Sequence, residues 1–260
     1  MRDRDDQARL LERVRSWFDE PEQVDHYQEE AAAGPTGAEL WLLRWLPPTG
    51  RVLDVGCGAG RIVRFLSARG YTVIGTDVSA PLLRASVQPS GSERSAGFVQ
   101  VEPLRLPVLD GVFDAAVAFK VYCYVPTWSS RLAYLSEIHR TLRPGGLLLL
   151  SQHVAPEEAY AHYRDQYYEQ GVAGLVSIEL GDTFPLGRGY VHWFTSAQLR
   201  QELRASPFEI VAISNDHAHG GAGFIDNVVL RRMPVARLRP EGDAFEDVAM
   251  YAALRDEWRV

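Results

Sequence analysis

Three glycines alternate with other residues in Val52-Leu53-Asp54-Val55-Gly56-Cys57-Gly58-Ala59-Gly60-Arg61, directly after a short apolar run. A loop of this composition lets backbone come close to a ligand, because glycine lacks a Cβ and tolerates left-handed φ. A helix starting just behind it turns free amides toward a negative group. The dinucleotide fingerprint G-x-G-x-x-G would need a glycine at position 61, where this chain has Arg61. The observed spacing is G-x-G-x-G, which counts against a dehydrogenase.

A second chemical signal is Asp77, which ends the apolar run Thr72-Val73-Ile74-Gly75-Thr76-Asp77. A carboxylate there can accept from two hydroxyls through its two oxygens. Ser79 is better placed to cap the helix that begins near Ala80-Pro81. Asp54 has two readings, a brace for the loop through backbone amides or a direct ligand contact.

In open α/β sheets ligands lie beyond the carboxyl ends of the strands. That rule points to Phe119-Lys120-Val121-Tyr122-Cys123-Tyr124 and to Ser151-Gln152-His153. His153 is the leading candidate general base, with His192 second, since imidazole titrates near ~6.5. A backbone-satisfied loop histidine is the plain alternative for His153. Lys120, the single lysine in the chain, either meets a substrate carboxylate or reaches solvent. Tyr160, Tyr163, Tyr167 and Tyr168, with His162, form one aromatic helical face, read as core packing or as a substrate lid. His217-x-His219 is a pair without a third ligand in view, so no metal is expected.

The elements that must position these residues follow from periodicity. Asp5 to Asp19 has the apolar spacing of one helical face, with Leu10, Leu11, Val14, Trp17 and Phe18. A polar connection carrying Tyr27 follows, then a helix from Gly37 to Leu46 that ends at Pro47-Pro48. Strands are predicted at Val52–Val55, Thr72–Asp77, Phe98–Val101, Phe113–Phe119 and Leu147–Leu150, with helices at Arg61–Ala68, from Ala80, and at Arg131–Leu142. Beyond Pro156 come a helix at Glu157–Tyr168, a turn-rich stretch to Tyr190, and a helix from Thr195 or Ser196 to about Ala205. Strands at Phe208–Ser214 and Phe224–Arg231 and a final helix near Ala244–Trp258 complete the pattern. The alternation implies an open, doubly wound α/β fold with a mostly parallel sheet. Residues 1–50 read as an N-terminal helical flap, 51–233 as one core domain with an insertion at about 156–192, and 234–260 as a tail.

Bulk properties narrow the function classes. The 260 residues carry a formal charge of −7, which opposes electrostatic binding to nucleic acid or anionic lipid. Cys57 and Cys123 form no C-x-x-C pair, consistent with a reducing compartment and no structural metal. Met1 to Arg15 is crowded with Arg and Asp, unlike a signal peptide. The most apolar run, Gly146 to Ser151, is too short to span a bilayer. A cytoplasmic protein without membrane or nucleic-acid partners is the expectation, as monomer or homodimer.

Taken in order, these segments resemble the class I S-adenosylmethionine-dependent methyltransferases, close to the type 11/25 small-molecule group. The glycine loop resembles their first motif and Thr76-Asp77-Val78-Ser79 the end of their second strand. Phe98 to Pro107 with Asp110-Gly111-Val112-Phe113-Asp114 resembles the loop beside adenine, and Leu142-Arg143-Pro144-Gly145-Gly146 the turn before strand five. The resemblance covers about Tyr27 to Met233 and implies a seven-stranded, Rossmann-like sheet with S-adenosyl-L-methionine as cofactor. It implies cofactor contacts at Tyr27, Asp54, Gly56, Cys57, Gly58, Gly60, Arg61, Asp77, Val78, Glu102, Pro103, Leu104 and Phe119. Asp77 would hold both ribose hydroxyls, and Arg61 and Tyr27 would approach the methionine carboxylate. A solvated helix arginine is the alternative for Arg61. One departure concerns adenine: the family commonly has Asp where Glu102 stands, and the next backbone N–H serves a ring nitrogen. Here the next residue is Pro103, which has no N–H.

The resemblance implies methyl transfer to oxygen, nitrogen or carbon of a small-molecule acceptor, with Lys120, Tyr124, Tyr163 and Tyr167 facing it. The DNA amino-methyltransferase motif Asn/Asp-Pro-Pro-aromatic is replaced by Lys120-Val121-Tyr122, and the acidic charge opposes RNA. Peptide or protein acceptors are one alternative. The other is a cofactor-binding protein that does not methylate, either cyclase-type or regulatory.

Overall fold

A computed structural model describes residues 2–86, 96–156, 159, 175 and 178–234. Tyr160, Tyr163, Tyr167, Tyr168, His162 and the helices expected at Glu157–Tyr168 and Ala244–Trp258 lie outside the described residues, apart from Ala159.

The chain begins with helices α1 (Arg2–Phe18), α2 (Pro21–Ala33) and α3 (Gly37–Leu43). The stretch around Tyr27 is therefore helical, not a polar connection. Pro21 opens that helix, where its missing N–H is no loss, and Glu, Gln and Ala sustain it. Its weak apolar periodicity hid it from a search for hydrophobic faces. Thr36 and Glu39 close a reciprocal capping box at the start of α3.

The core alternates β1 (Arg51–Val55), α4 (Arg61–Ser67), β2 (Thr72–Asp77), α5 (Ala80–Ser86), β3 (Ala96–Gln100), β4 (Phe113–Phe119), α6 (Trp128–Thr141) and β5 (Leu142–His153). A two-residue hairpin follows, β6 (Asp182–Thr183) with β7 (Val191–His192). Then come α7 (Ser196–Ala205), β8 (Phe208–Asn215) and β9 (Ile225–Arg232). The seven-stranded sheet runs β3-β2-β1-β4-β5-β9-β8. Only β9 opposes the common direction, pairing antiparallel with both β5 and β8. The expected open, mostly parallel sheet is present.

Some details differ from the pattern-based expectation. The α6 helix starts three residues earlier, because the Thr127 side chain accepts from the Ser130 amide. Strand β5 includes Pro144-Gly145-Gly146: Leu142 already pairs with Phe113, ahead of a register shift. His217 and His219 sit in a 3-10 turn, not on a strand, and His219 stacks on Trp41 while its Nε2 meets Ser214 Oγ at 2.9 Å.

Buried central strands show strict two-residue alternation. Leu53, Val55, Ala116, Ala118, Leu148 and Leu150 face α6 and α7. Val52, Val73, Ala115, Val117 and Leu149 face α3 and α4. Both faces are apolar, so the strands read as continuous hydrophobic runs. The chain moves outward from β1 to β3 and then crosses back to β4. This opens a crevice at the carboxyl ends of β1 and β4, the switch point where such folds bind ligands. No helix among the described residues is long and apolar enough to cross a membrane.

One buried ion network ties α6 to α7 and the hairpin. Arg131 Nε donates to Glu202 Oε2 at 2.9 Å and its Nη2 to Glu202 Oε1 at 2.6 Å and Glu179 Oε2 at 2.7 Å. The Tyr122 hydroxyl donates to the same Glu202 at 2.8 Å. Removing Glu202 leaves the buried Arg131 with one carboxylate partner, the partly exposed Glu179. Glu202→Ala is expected to destabilise the protein by about 3–5 kcal/mol in urea unfolding, whereas replacing Arg131 and Glu202 together by Met costs much less.

Candidate functional site

The glycine loop leaves β1 and turns into α4 through three left-handed positions. Gly56 has φ 72°, and a Cβ there would lie 2.4 Å from Val121 Cγ2, so no side chain fits. Gly58 has φ 52°, and a Cβ would meet only Tyr27 at 3.7 Å, across the space a ligand would use. The amides of Gly56 and Cys57 donate to the Thr76 carbonyl at 2.8 and 2.9 Å, which locks the loop to the end of β2.

Asp77 completes that lock from the other side. Its Oδ2 accepts from the Gly58 amide at 2.8 Å and its Oδ1 from the Ser79 amide at 2.9 Å. The acceptor capacity left over is what the carboxylate can offer a ligand hydroxyl. Burial raises the Asp77 pKa, and hydrogen bonds from the Ser79, Gly58 and Val78 amides partly offset this. Ser79 also caps α5, its Oγ accepting from Leu82 N at 3.3 Å.

Asp54, on β1, is buried, and its Oδ2 has no hydrogen-bond partner. Desolvation pushes its pKa up to about 7, against the lowering effect of the Arg61 charge. An orphaned carboxylate oxygen facing a cleft is a vacant acceptor for a cationic or hydrogen-bonding ligand group.

The cleft holds ≈ 1060 Å³, part of it open to solvent. Its lining brings together Tyr27, Asp54, Gly56, Cys57, Gly58, Arg61, Asp77, Val78, Glu102, Pro103, Leu104, Phe119, Lys120 and Tyr124. Of the residues named from sequence, Gly60 stands just behind the loop as the left-handed N-cap of α4. His153 and His192 are absent from the lining. The His153 ring packs 5.9 Å from Trp193, and burial, with the Lys120 charge, lowers its pKa to about 4. His192 Nδ1 is held 2.7 Å from Asp182 Oδ1 inside the hairpin. Glu179, Asp182 and His192 cluster closely enough to suggest a metal. Their atoms are instead bound internally: Asp182 accepts from Tyr190 at 2.8 Å and from the Glu179 amide at 2.9 Å, and Glu179 pairs with Arg131.

Arg61 is neither solvated nor free. Its side chain is 11% exposed, and Nη2 donates to Glu39 Oε1 at 2.6 Å while Nη1 reaches Glu39 Oε2. Burial alone would raise the Glu39 pKa, but the Arg61 hydrogen bonds and charge outweigh it and hold the carboxyl below its usual range. Any contact of Arg61 with a ligand carboxylate would have to share the guanidinium with Glu39.

At the exit of β4, Lys120 takes a left-handed φ of 58°, a costly conformation for a non-glycine residue. Its amide donates to the Ser151 carbonyl at 2.8 Å, and Gln152 Oε1 accepts from Cys123 N at 3.0 Å, holding the turn from the neighbouring strand. Lys120 Nζ pairs with Glu30 of α2 at 2.7 Å, so its charge meets the protein's own carboxylate. Phe18 packs edge-on against Tyr27 and Tyr124, with centroids 5.6 and 4.8 Å away. Sequence patterns did not single out Glu30, Tyr134 or Glu137 as cleft residues, and nothing in their spacing marks them. Val14 and Phe18 were visible only as an apolar helix face.

Residues 53–150 match the methyltransferase-domain family. These residues form a class I S-adenosylmethionine-dependent methyltransferase domain. The domain's 53–150 span covers β1 to β5, and therefore the glycine loop, Asp77 and the Lys120 turn. The protein YqeM of Bacillus subtilis (strain 168) is 31% identical over 147 residues, 52% of this chain and 58% of that protein. The chain spans about half the length of the curated relatives it matches first. Among solved structures, the 1,6-didemethyltoxoflavin-N1-methyltransferase of Burkholderia thailandensis, bound to its substrate and S-adenosylhomocysteine, is similar with a TM-score of 0.58. It is 21% identical, with 81% of this chain and 82% of that one covered. The [4+2]-cyclase SpnF is similar with a TM-score of 0.58 and 20% identity, over 75% of this chain and 80% of that one. At these identities both likenesses show the fold.

The Asp54 carboxyl gives a pH signature. Its folded pKa of about 7 exceeds the ordinary 3.8, so between these values the folded state holds a proton the unfolded chain has lost. Stability from this group is greatest at low pH and falls as pH rises through that window. Thermal unfolding followed from pH 4 to 8 should show this decline, and Asp54→Asn should flatten it.

Proposed function

We propose that this protein transfers a methyl group from S-adenosylmethionine to a small-molecule acceptor held beneath its first two helices. The observation that carries this reading is a pair of buried carboxylates, Asp54 and Asp77, lining one cleft on either side of the glycine loop. The residues present fit the cofactor. Asp77, already oriented by two backbone amides, offers its remaining lone pairs to the ribose hydroxyls. Asp54, with its unpartnered Oδ2, suits the ammonium of the amino-acid portion. Gly58 leaves open space where an ordinary side chain would intrude.

When bound, the cofactor supplies a sulfonium methyl that is already electrophilic. The protein's main task is then in-line positioning, which can lower a barrier by about 7–11 kcal/mol. Val14, Phe18, Tyr27 and Tyr124 present apolar and aromatic surface to the acceptor, and Lys120 with Glu30 presents one ion pair. Burial keeps the Tyr27 phenol well above its usual range, so it stays protonated and serves as a hydrogen-bond partner for Tyr124. No described imidazole lines the cleft. Glu30, 2.7 Å from Lys120 Nζ, is the carboxylate placed to take a proton from the acceptor.

The likeness to a cyclase favours a second reading, in which the cofactor is bound and no methyl is transferred. Mass spectrometry of acceptor mixtures incubated with labelled cofactor separates the two, since methylated product appears only under the first. For the cofactor assignment, calorimetry with S-adenosylhomocysteine is the direct test. Asp77→Ala should weaken binding by about 10²-fold or more, from the loss of two charge-assisted hydrogen bonds at about 1.5–3 kcal/mol each. Unchanged affinity in that variant would remove the assignment.

A further inference from the structure

The cleft extends past Asp77 toward the turn at Glu102–Arg105, where the base of an adenosyl group would lie if the proposed function is correct. This inference rests on that reading. The backbone there is unusual. Pro103 has no N–H, Leu104 is forced to a left-handed φ of 64°, and the Arg105 amide is turned back onto the Glu102 carbonyl at 3.2 Å. The side chains nearby offer little more. Glu102 is exposed, and Glu137 is committed to Arg140 through both oxygens, at 2.8 and 2.9 Å, and to the Leu106 amide at 2.9 Å.

Tyr134, on α6, is different. Its side chain is 7% exposed and packed in the apolar core with Leu106, its ring 6.3 Å from that of Tyr122. The hydroxyl oxygen is buried without a hydrogen-bond partner, yet the residue lines the cleft beside Leu104 and Leu106. A buried phenol oxygen is nearly always paired, because water has been stripped from it and nothing replaces the lost bond. A phenylalanine would fill the same core volume without this penalty. The hydroxyl therefore has a use that the free protein does not satisfy.

We propose that the Tyr134 hydroxyl is the adenine-recognition group of this site, donating a hydrogen bond to a ring nitrogen of the base. It supplies the donor that Pro103 cannot. A neutral hydroxyl suits this role, since it can donate to a heterocyclic nitrogen without adding charge to an already acidic cleft.

The test is calorimetry of S-adenosylhomocysteine and its 1-deaza, 3-deaza and 7-deaza adenine analogues against wild type and Tyr134→Phe. Wild type should bind the parent compound, and the variant should bind it about five- to tenfold more weakly. One deaza analogue, lacking the contacted nitrogen, should bind wild type as weakly and be indifferent to the substitution. The free variant should unfold at the same temperature as wild type or higher, because an unpaired buried hydroxyl has been removed. Equal affinity of the two proteins for the parent compound overturns the proposal, as does an equal loss across all three analogues, which would move the contact off the base. Failure of wild type to bind S-adenosylhomocysteine overturns instead the proposed function beneath it.

Discussion

The bond from the Gly58 amide to the Asp77 carboxylate ties the loop after β1 to the end of the neighbouring β2, beside the crevice between β1 and β4. Without it the glycine loop would be an ordinary flexible turn, since three left-handed residues in five give it little intrinsic preference for one shape. With it, and with the Gly56 and Cys57 amides on the Thr76 carbonyl, the loop is fixed relative to β2 before any ligand arrives. The same carboxylate is thus a structural brace and the best candidate for ribose contact. The two roles are compatible because a carboxylate has about four acceptor sites and the backbone amides do not fill them all.

Around that brace the charges are arranged by pairing. Arg61 is held by Glu39, Lys120 by Glu30 and Arg131 by Glu202 and Glu179, each linking a core element to a helix or hairpin outside the central strands. Left unpaired among the cleft groups are an acid and a phenol, Asp54 Oδ2 and the Tyr134 hydroxyl. Each such buried atom costs about 1–3 kcal/mol, which a ligand bonded to it would recover. Their position along one cleft, at either side of Asp77, matches a ligand with a cationic end and a heterocyclic end.

Under the proposed function, the helices over the cleft are what an acceptor would meet. Leu10 and Val14 of α1 pack on Phe184 and Tyr190 beside the hairpin, so the N-terminal helices and the region after β5 form one apolar contact. Phe18, Tyr27 and Tyr124 then meet edge to face over the end of β4. Aromatic groups arranged this way enclose a small acceptor more readily than they admit a chain. Under that reading, substitutions in these helices would bear on the acceptor and leave the brace at Asp77 untouched.

The amino-acid sequence by itself determined the sheet and the cofactor loop. Alternating apolar strands, glycine spacing and a strand-ending Asp77 are local signals, each set by the geometry of a few neighbouring residues. It also exposed the anomaly at Pro103, since a missing N–H is a property of the residue type. Tertiary structure alone decided which side chains complete the site. Helix α2 carries too weak an apolar stripe to be seen in sequence, yet it brings Tyr27 and Glu30 to the cleft. His153 looked suited to catalysis from its place past the expected fifth strand, but it is the last residue of β5 and its ring packs beside Trp193. Arg61 looked free until Glu39, 22 residues away, closed on it. Tyr134 carries no local mark, because an unpaired hydroxyl is defined by what surrounds it in space. Spacing along a chain encodes backbone geometry; burial and pairing depend on contacts between segments that only the folded chain brings together.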